Sequence, residues 1–273
     1  MPLGKIHGEK GVAFLFCEDE KNESGVIERR SISLGEEKLG INIFVVIIIR
    51  LLLFESNTGC VIVAMNHGFY SLDLETERFT TISDPEEHLP DQRFNDGKCD
   101  AAGRFWAGTM HMNVDNSPTG KLYCLNPDFT VKEVLDNIYC SNGTTWNADS
   151  TTMYYIDSPT KQVSAFDFHL NSGEISNRRT AVVIPPNGGV PDGKTIDEEG
   201  MLWVAQWGGS QVSRWNPLTG EMLEAIPIPA AHVTSCTFGG IILKKTDRYH
   251  LIHCNHVKKK YNSSGYQNKN LPN

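Results

Sequence analysis

The sequence predicts an all-β protein, a six-bladed β-propeller, and three observations carry that expectation. First, a polar turn followed by an aromatic or apolar run recurs as Asp100-Ala-Ala-Gly-Arg-Phe-Trp-Ala-Gly, Asn147-Ala-Asp-Ser-Thr-Thr-Met-Tyr-Tyr and Asp197-Glu-Glu-Gly-Met-Leu-Trp-Val-Ala. The starts are separated by 147 − 100 = 47 and 197 − 147 = 50 residues, the size of one blade, a four-stranded sheet set radially around a channel. Second, the runs alternate apolar and polar positions between Gly, Asp, Asn and Pro, which is strand and hairpin chemistry. Third, no window of helical length shows a convincing helical period. Dividing the 273 residues by roughly 48 per blade gives slightly fewer than six.

Along the chain, the residues before Gly59 carry absent or damaged blade signals. Ile41 to Phe54 is a nearly unbroken apolar run that contains Asn42 and Arg50. It is shorter than the roughly 20 apolar residues a spanning helix needs, so it reads as a buried strand. Gly68-Phe-Tyr-Ser-Leu-Asp, Gly120-Lys-Leu-Tyr-Cys-Leu, Lys161-Gln-Val-Ser-Ala-Phe-Asp and Ser210-Gln-Val-Ser-Arg-Trp form a second recurring strand within the repeat. The tryptophans Trp106, Trp146, Trp203, Trp207 and Trp215 fit packing between blades. After Gly240 the pattern breaks again, and from Val257 a Lys/Asn-rich polar tail has too few apolar residues to offset its conformational entropy. The expected organisation is one propeller domain over 1–256, regular over 59–240 and irregular over 1–58 and 241–256, followed by a disordered tail over 257–273. A ring damaged at both ends would expose strand edges at its closing seam, which predicts poor solubility or low activity.

Composition narrows the function. Lys and Arg number 25 against 33 Asp and Glu, a net charge of −8, with 40% hydrophobic and 21% charged residues. That excludes a disordered chain and argues against nucleic-acid or anionic-membrane partners, which need a basic face. The seven cysteines include no C-x-x-C pair. Reduced thiols in the cytoplasm are therefore expected, without a disulfide framework or structural zinc. The opening residues lack the apolar core of a signal peptide.

Propeller sites lie where inner-strand loops converge on the channel. Three segments have the composition for this: Arg93-Phe-Asn-Asp-Gly-Lys, Cys140-Ser-Asn-Gly and Val190-Pro-Asp-Gly. Asn95, Asn142 and Asp192 recur at 142 − 95 = 47 and 192 − 142 = 50 residues, one blade apart. Asn-Gly and Asp-Gly are also the commonest tight turns, but recurrence at the blade period points to one shared corner of three blades. Their oxygens are hard donors suited to Ca²⁺, Zn²⁺, Mg²⁺ or Mn²⁺.

These segments, with Ala107-Gly-Thr-Met, Tyr154-Tyr-Ile-Asp-Ser, Gly173-Glu-Ile-Ser-Asn-Arg-Arg, Leu202-Trp-Val-Ala and Thr234-Ser-Cys-Thr-Phe-Gly-Gly, resemble the regucalcin/gluconolactonase/luciferin-regenerating-enzyme family. The resemblance is ordered and continuous from Gly59 to Gly240. It implies a six-bladed propeller with one catalytic divalent cation, Ca²⁺ or Zn²⁺ foremost, hydrolysing sugar lactones or related small esters. It also implies that Asn142 and Asp192 are metal ligands, with Asp192 also the general base, and that Arg93 and Asn95 contact substrate. Where family members place a substrate-side Glu, this chain has Asn113, which bears on aldonolactone specificity. The family's first metal ligand is a Glu in a Leu-Gly-Glu-Gly-Pro-x-Trp segment. Leu34-Gly35-Glu36 keeps half of it and His7-Gly8-Glu9 is a weaker echo, so the third ligand is Glu36, Glu9 or neither. The expected function is a metal-dependent lactonase, monomeric if the ring closes; the alternative is a calcium- or ligand-binding propeller without turnover.

Overall fold

The computed structural model describes residues 45–46, 60–73, 76, 78–113 and 117–238. Glu9, Glu36, most of the apolar run from Ile41 to Phe54 and the tail from Val257 lie outside them. Among the described residues the chain forms four antiparallel sheets of four strands, each in plain sequence order. The first blade is β1 (Val45–Val46), β2 (Cys60–Met65), β3 (Gly68–Asp73) and β4 (Phe79–Ser83). The second is β5 (Gln92–Cys99), β6 (Phe105–His111), β7 (Gly120–Leu125) and β8 (Val131–Ile138). The third is β9 (Ser141–Trp146), β10 (Thr152–Asp157), β11 (Gln162–His169) and β12 (Glu174–Val183), with one 3₁₀ turn, Ser158–Thr160, after β10. The fourth is β13 (Val190–Ile196), β14 (Leu202–Trp207), β15 (Gln211–Trp215) and β16 (Met222–Pro227). No helix among the described residues is long and apolar enough to cross a membrane.

The recurring turn closes the first hairpin of each of the last three blades, and its polar residue pins it. The Asp100 carboxylate accepts the main-chain N–H of Ala102 (2.9 Å) and Arg104 (3.1 Å), the Arg104 Nε (2.6 Å) and the Trp106 indole N–H (2.9 Å). Asp197 repeats this with Glu199, Met201, Trp203 and Arg214. In the third blade Asn147 Oδ1 accepts Thr151 N–H and Thr152 N–H. The fourth turn residue sits at positive φ in all three: Gly103 (80°), Ser150 (55°) and Gly200 (80°).

Strand alternation gives each blade two apolar faces, and each face fills one seam. On β6 and β7, Phe105, Ala107, Tyr123 and Leu125 pack with Ile62, Ala64 and Phe69 of the first blade. Their alternates Trp106, Leu122 and Cys124 pack with Trp146, Met153, Tyr155, Phe166 and Phe168 of the third. Tyr154, Ile156, Val163 and Ala165 then meet Leu202, Val204 and Trp215 of the fourth. The core is therefore a series of seams rather than one centre. The tryptophans Trp106 and Trp146 meet edge to face across one of them, 5.9 Å apart. Outer strands are exposed, β12 and β16 most of all.

Candidate active site

The first strands of successive blades lie against one another, β5 against β9 and β9 against β13. Each breaks register at the segment singled out by the sequence. On β5, Phe94 pairs Thr109 and Asp96 pairs Gly108, so Asn95 is unpaired. On β9, Thr144 pairs Tyr155 and Asn142 pairs Ile156, which leaves Gly143 extra. On β13, Pro191 pairs Gln206 and Lys194 pairs Val204, setting Asp192 and Gly193 against Ala205 alone. A bulge re-aims side chains and frees main-chain groups. The Asn-Gly and Asp-Gly pairs thus lie at or beside bulges inside three first strands, not in hairpin turns.

Glycine follows because a neighbouring main-chain segment comes too close for a side chain. A Cβ on Gly143 would stand 2.8 Å from Asp192 O, and one on Gly193 would stand 2.7 Å from Thr234 O.

The bulges bring Arg93, Asn95 and Asn142 into one hydrogen-bonded chain. Arg93 Nη1 donates to Asn95 Oδ1 (2.9 Å) and Phe94 O (3.0 Å), which fixes the orientation of the Asn95 amide. Asn95 Nδ2 donates to Ser141 O (2.8 Å) and Asn142 Oδ1 (3.0 Å). Asn142, 7% exposed, donates from Nδ2 to Ser158 Oγ (2.7 Å), and Ser158 Oγ donates to Pro191 O (2.6 Å). Three blades are thereby joined up to the residue preceding Asp192. Asn113 lies just beyond β6, exposed, its main-chain N–H on His111 Nδ1, outside this chain of bonds.

Four further residues at the site were not identified from sequence. Asp96, partly buried, is one: burial raises its carboxyl above the usual range, against the Gly97 N–H and the charges of Lys194 and Lys98. Asp192 is raised well above its usual range by burial and then by Asp96, with the Gly193 N–H opposing. The residue immediately before Gly97, Gly143 and Gly193 is Asp96, Asn142 and Asp192; aligning these glycines rather than the asparagines would have found Asp96. Lys194 is buried; burial pushes its amine well below its usual value, Lys98 adds to this and Asp96 opposes it. Cys140 Sγ lies 3.5 Å from Asn142 Nδ2 and from Met110 Sδ; burial and Asp192 push its thiol up to about 12. Ser158 stands in the Tyr-Ile-Asp-Ser segment. Its neighbour Asp157 accepts the N–H groups of Cys140 (2.9 Å) and Tyr139 (3.3 Å), holding the entry to β9.

The oxygen donors are the buried Asn142 amide and the partly buried Asp96 and Asp192 carboxylates, carried on the first strands of three blades. The charges of Lys194 and Lys98 lower the Asp96 carboxyl, whereas Asp96 raises that of Asp192. Hard oxygen donors, two of them carboxylates, fit a divalent cation. Among the described residues no cluster of three His, Cys, Asp or Glu forms a metal site.

Residues 50–245 match the family described as the SMP-30/Gluconolactonase/LRE-like region. Regucalcin of Xenopus laevis is 41% identical over 187 residues, covering 67% of this chain and 62% of that protein. YvrE of Bacillus subtilis (strain 168), named for a proposed sugar lactone lactonase activity, is 39% identical over 183 residues, with the same coverages of 67% and 62%. Among solved structures, luciferin-regenerating enzyme superposes with a TM-score of 0.65 at 34% identity, over 72% of this chain and 66% of that one. The chain spans less than two thirds of the length of these curated relatives.

Proposed function

The chain belongs to the SMP-30/gluconolactonase/LRE-like family, and on that premise we propose that it is a divalent-metal-dependent hydrolase of sugar lactones or related small esters. The observation that carries this reading is the hydrogen-bonded chain from Arg93 through Asn95 and Asn142 to the strand of Asp192. It ties Arg93, Asn95 and Asn142 to the strand that carries Asp192, which supports reading Asn142 and Asp192 as the cation donors beside a fixed guanidinium.

Asn142 Oδ1 and the Asp192 carboxylate would hold the cation, Ca²⁺ or Zn²⁺, with Glu36 as a third donor from outside the described residues. When bound, the cation would polarise a lactone carbonyl and acidify neighbouring water. Asp192 would take up the proton of the attacking water on a carboxylate oxygen; a carboxylate that ligates a cation is a weaker base than a free one, so the acidity of the water itself would have to supply much of the effect. Arg93 cannot ligate a cation and instead orients ring oxygens and stabilises charge that develops on substrate. Asn95 contacts substrate and turns the Asn142 oxygen toward the site. The thiols of Cys124 and Cys140 support action in the reducing cytoplasm.

Asp192→Ala should lower kcat/KM on a sugar-lactone panel by at least about 1,000-fold, since it removes ligand and base together. Chelation should do the same to the parent and be reversed by added cation. Parent-like turnover in either case would refute the assignment. A second reading, a calcium-binding propeller without turnover, draws on the exposed position of Asn113 outside the bonded chain. Calcium binding without hydrolysis of any lactone in the panel would select it.

A further inference from the structure

Lys194 stands two residues beyond Asp192 on β13, buried, and reaches across the seam into the third blade. Its Nζ donates to Gly143 O and, at 2.8 Å, to Tyr154 O. Gly143 is the bulged residue of β9, and Tyr154 precedes the register shift on β10. A bulge disrupts the ladder locally, and a buried carbonyl without a donor is costly. Here the donor comes from the neighbouring blade. The fit is close, because a Cβ on Gly143 would stand 2.9 Å from Lys194 Cγ and 3.1 Å from Lys194 N.

The same stretch of β13 grips the Asn142 segment at a second point. Pro191 O accepts Ser158 Oγ, and Ser158 Oγ accepts Asn142 Nδ2. Pro191 and Lys194 flank Asp192 and Gly193, so one hold acts on the Asn142 side chain and the other on the main chain immediately after it. We propose that Lys194 is a positioning residue: with the Ser158–Pro191 contact it braces the bulge of β9 against the bulge of β13 and so fixes Asn142 Oδ1 relative to the Asp192 carboxylate. The proposal rests on reading Asn142 and Asp192 as the cation donors, and it gives a buried lysine a task that seam packing alone does not require.

The test uses the full chain with Lys194→Met and, as control, Arg104→Lys. Arg104 clamps the seam between the second and third blades by donating to Leu170 O (2.5 Å) and Asn171 O (3.4 Å) and takes no part in the site. Two quantities are read: the side-chain amide resonances of Asn142, and the dissociation constants of Ca²⁺ and Zn²⁺ by calorimetry. In Lys194→Met the Asn142 amide pair should shift and cation binding should weaken at least tenfold. In Arg104→Lys both should match the parent even where the urea midpoint falls. Lys194→Arg, which keeps a donor on a long stem, should recover part of the loss. If Lys194→Met does not fold, Lys194→Gln, too short to reach both carbonyls, is read in the same way. A folded variant with parent-like Asn142 resonances and parent-like cation affinity overturns the proposal. If the parent takes up neither cation, the reading of the site as a cation site fails, and the Asn142 resonances alone decide whether Lys194 positions that side chain.

Discussion

Glu86 lies in the segment between β4 and β5, only 6% exposed, and its Oε1 accepts the hydroxyls of Thr109 and Tyr123, each at 3.1 Å. Burial raises its carboxyl above the usual range, while those hydroxyls and the charge of Lys121 oppose the shift. A carboxyl whose folded-state value is raised binds its proton better folded than unfolded. Its contribution is therefore fully present below the unfolded value and is lost as pH rises through the folded one. Glu86→Gln keeps the acceptor and removes the buried charge. Its urea-denaturation stability should match the parent near about pH 4 and exceed it by roughly 1 kcal/mol near about pH 8. An unchanged difference across that range would mean that Glu86 carries no such cost. The residue scale is also where sequence reading was least complete. Arg93, Asn95, Asn142 and Asp192 stood out because their segments recur, whereas Lys194, Ser158 and Asp157 act through contacts to main-chain groups of distant segments, which no spacing encodes.

At the scale of the element, the hairpins were legible in the text and the bulges were not. The turn residues Asp100, Asn147 and Asp197 mark real hairpins because each carries its own acceptors for the turn. An interior bulge has no composition of its own, and Asn-Gly reads equally as a turn; only the pairing of neighbouring strands separates the two. Of the three equivalent turn positions with positive φ, Ser150 is the one that is not glycine. Replacing it with Gly relieves a left-handed conformation but gives the unfolded chain more freedom. The expected net gain for Ser150→Gly is about 0.5–1 kcal/mol by thermal or urea unfolding. The mirror changes Gly103→Ala and Gly200→Ala meet nothing within 4 Å of the added carbon, so any loss there is backbone strain alone. A destabilised Ser150→Gly would show that the serine side chain has a role in the turn.

At the scale of the whole molecule, the propeller class followed from a repeat length, which survives any uncertainty about individual strand ends. The described residues provide four blades; the six-blade count and the irregular ends rest on the sequence alone. Between blades, polar clamps supplement apolar packing. Arg104 holds the Asp100 carboxylate, donates to Leu170 O and Asn171 O, and stands 5.7 Å over the Phe168 ring. Arg104→Ala would leave the buried Asp100 carboxylate without its counter-charge and Leu170 O and Asn171 O without this donor, at about 3–5 kcal/mol. The urea midpoint should fall accordingly, while a loss below about 1 kcal/mol would show that apolar contacts alone hold this seam.

The bulges that face the channel belong to three different blades. A ligand gripped jointly by them recognises the assembled ring and finds nothing to grip on a separated blade or an unravelled chain. Its affinity therefore enters the folding equilibrium directly, adding about 2.7 kcal/mol at a hundredfold excess over Kd. In a cell, the supply of that ligand would act as a thermostat on the protein's lifetime, because proteases sample the opened chain in proportion to its population.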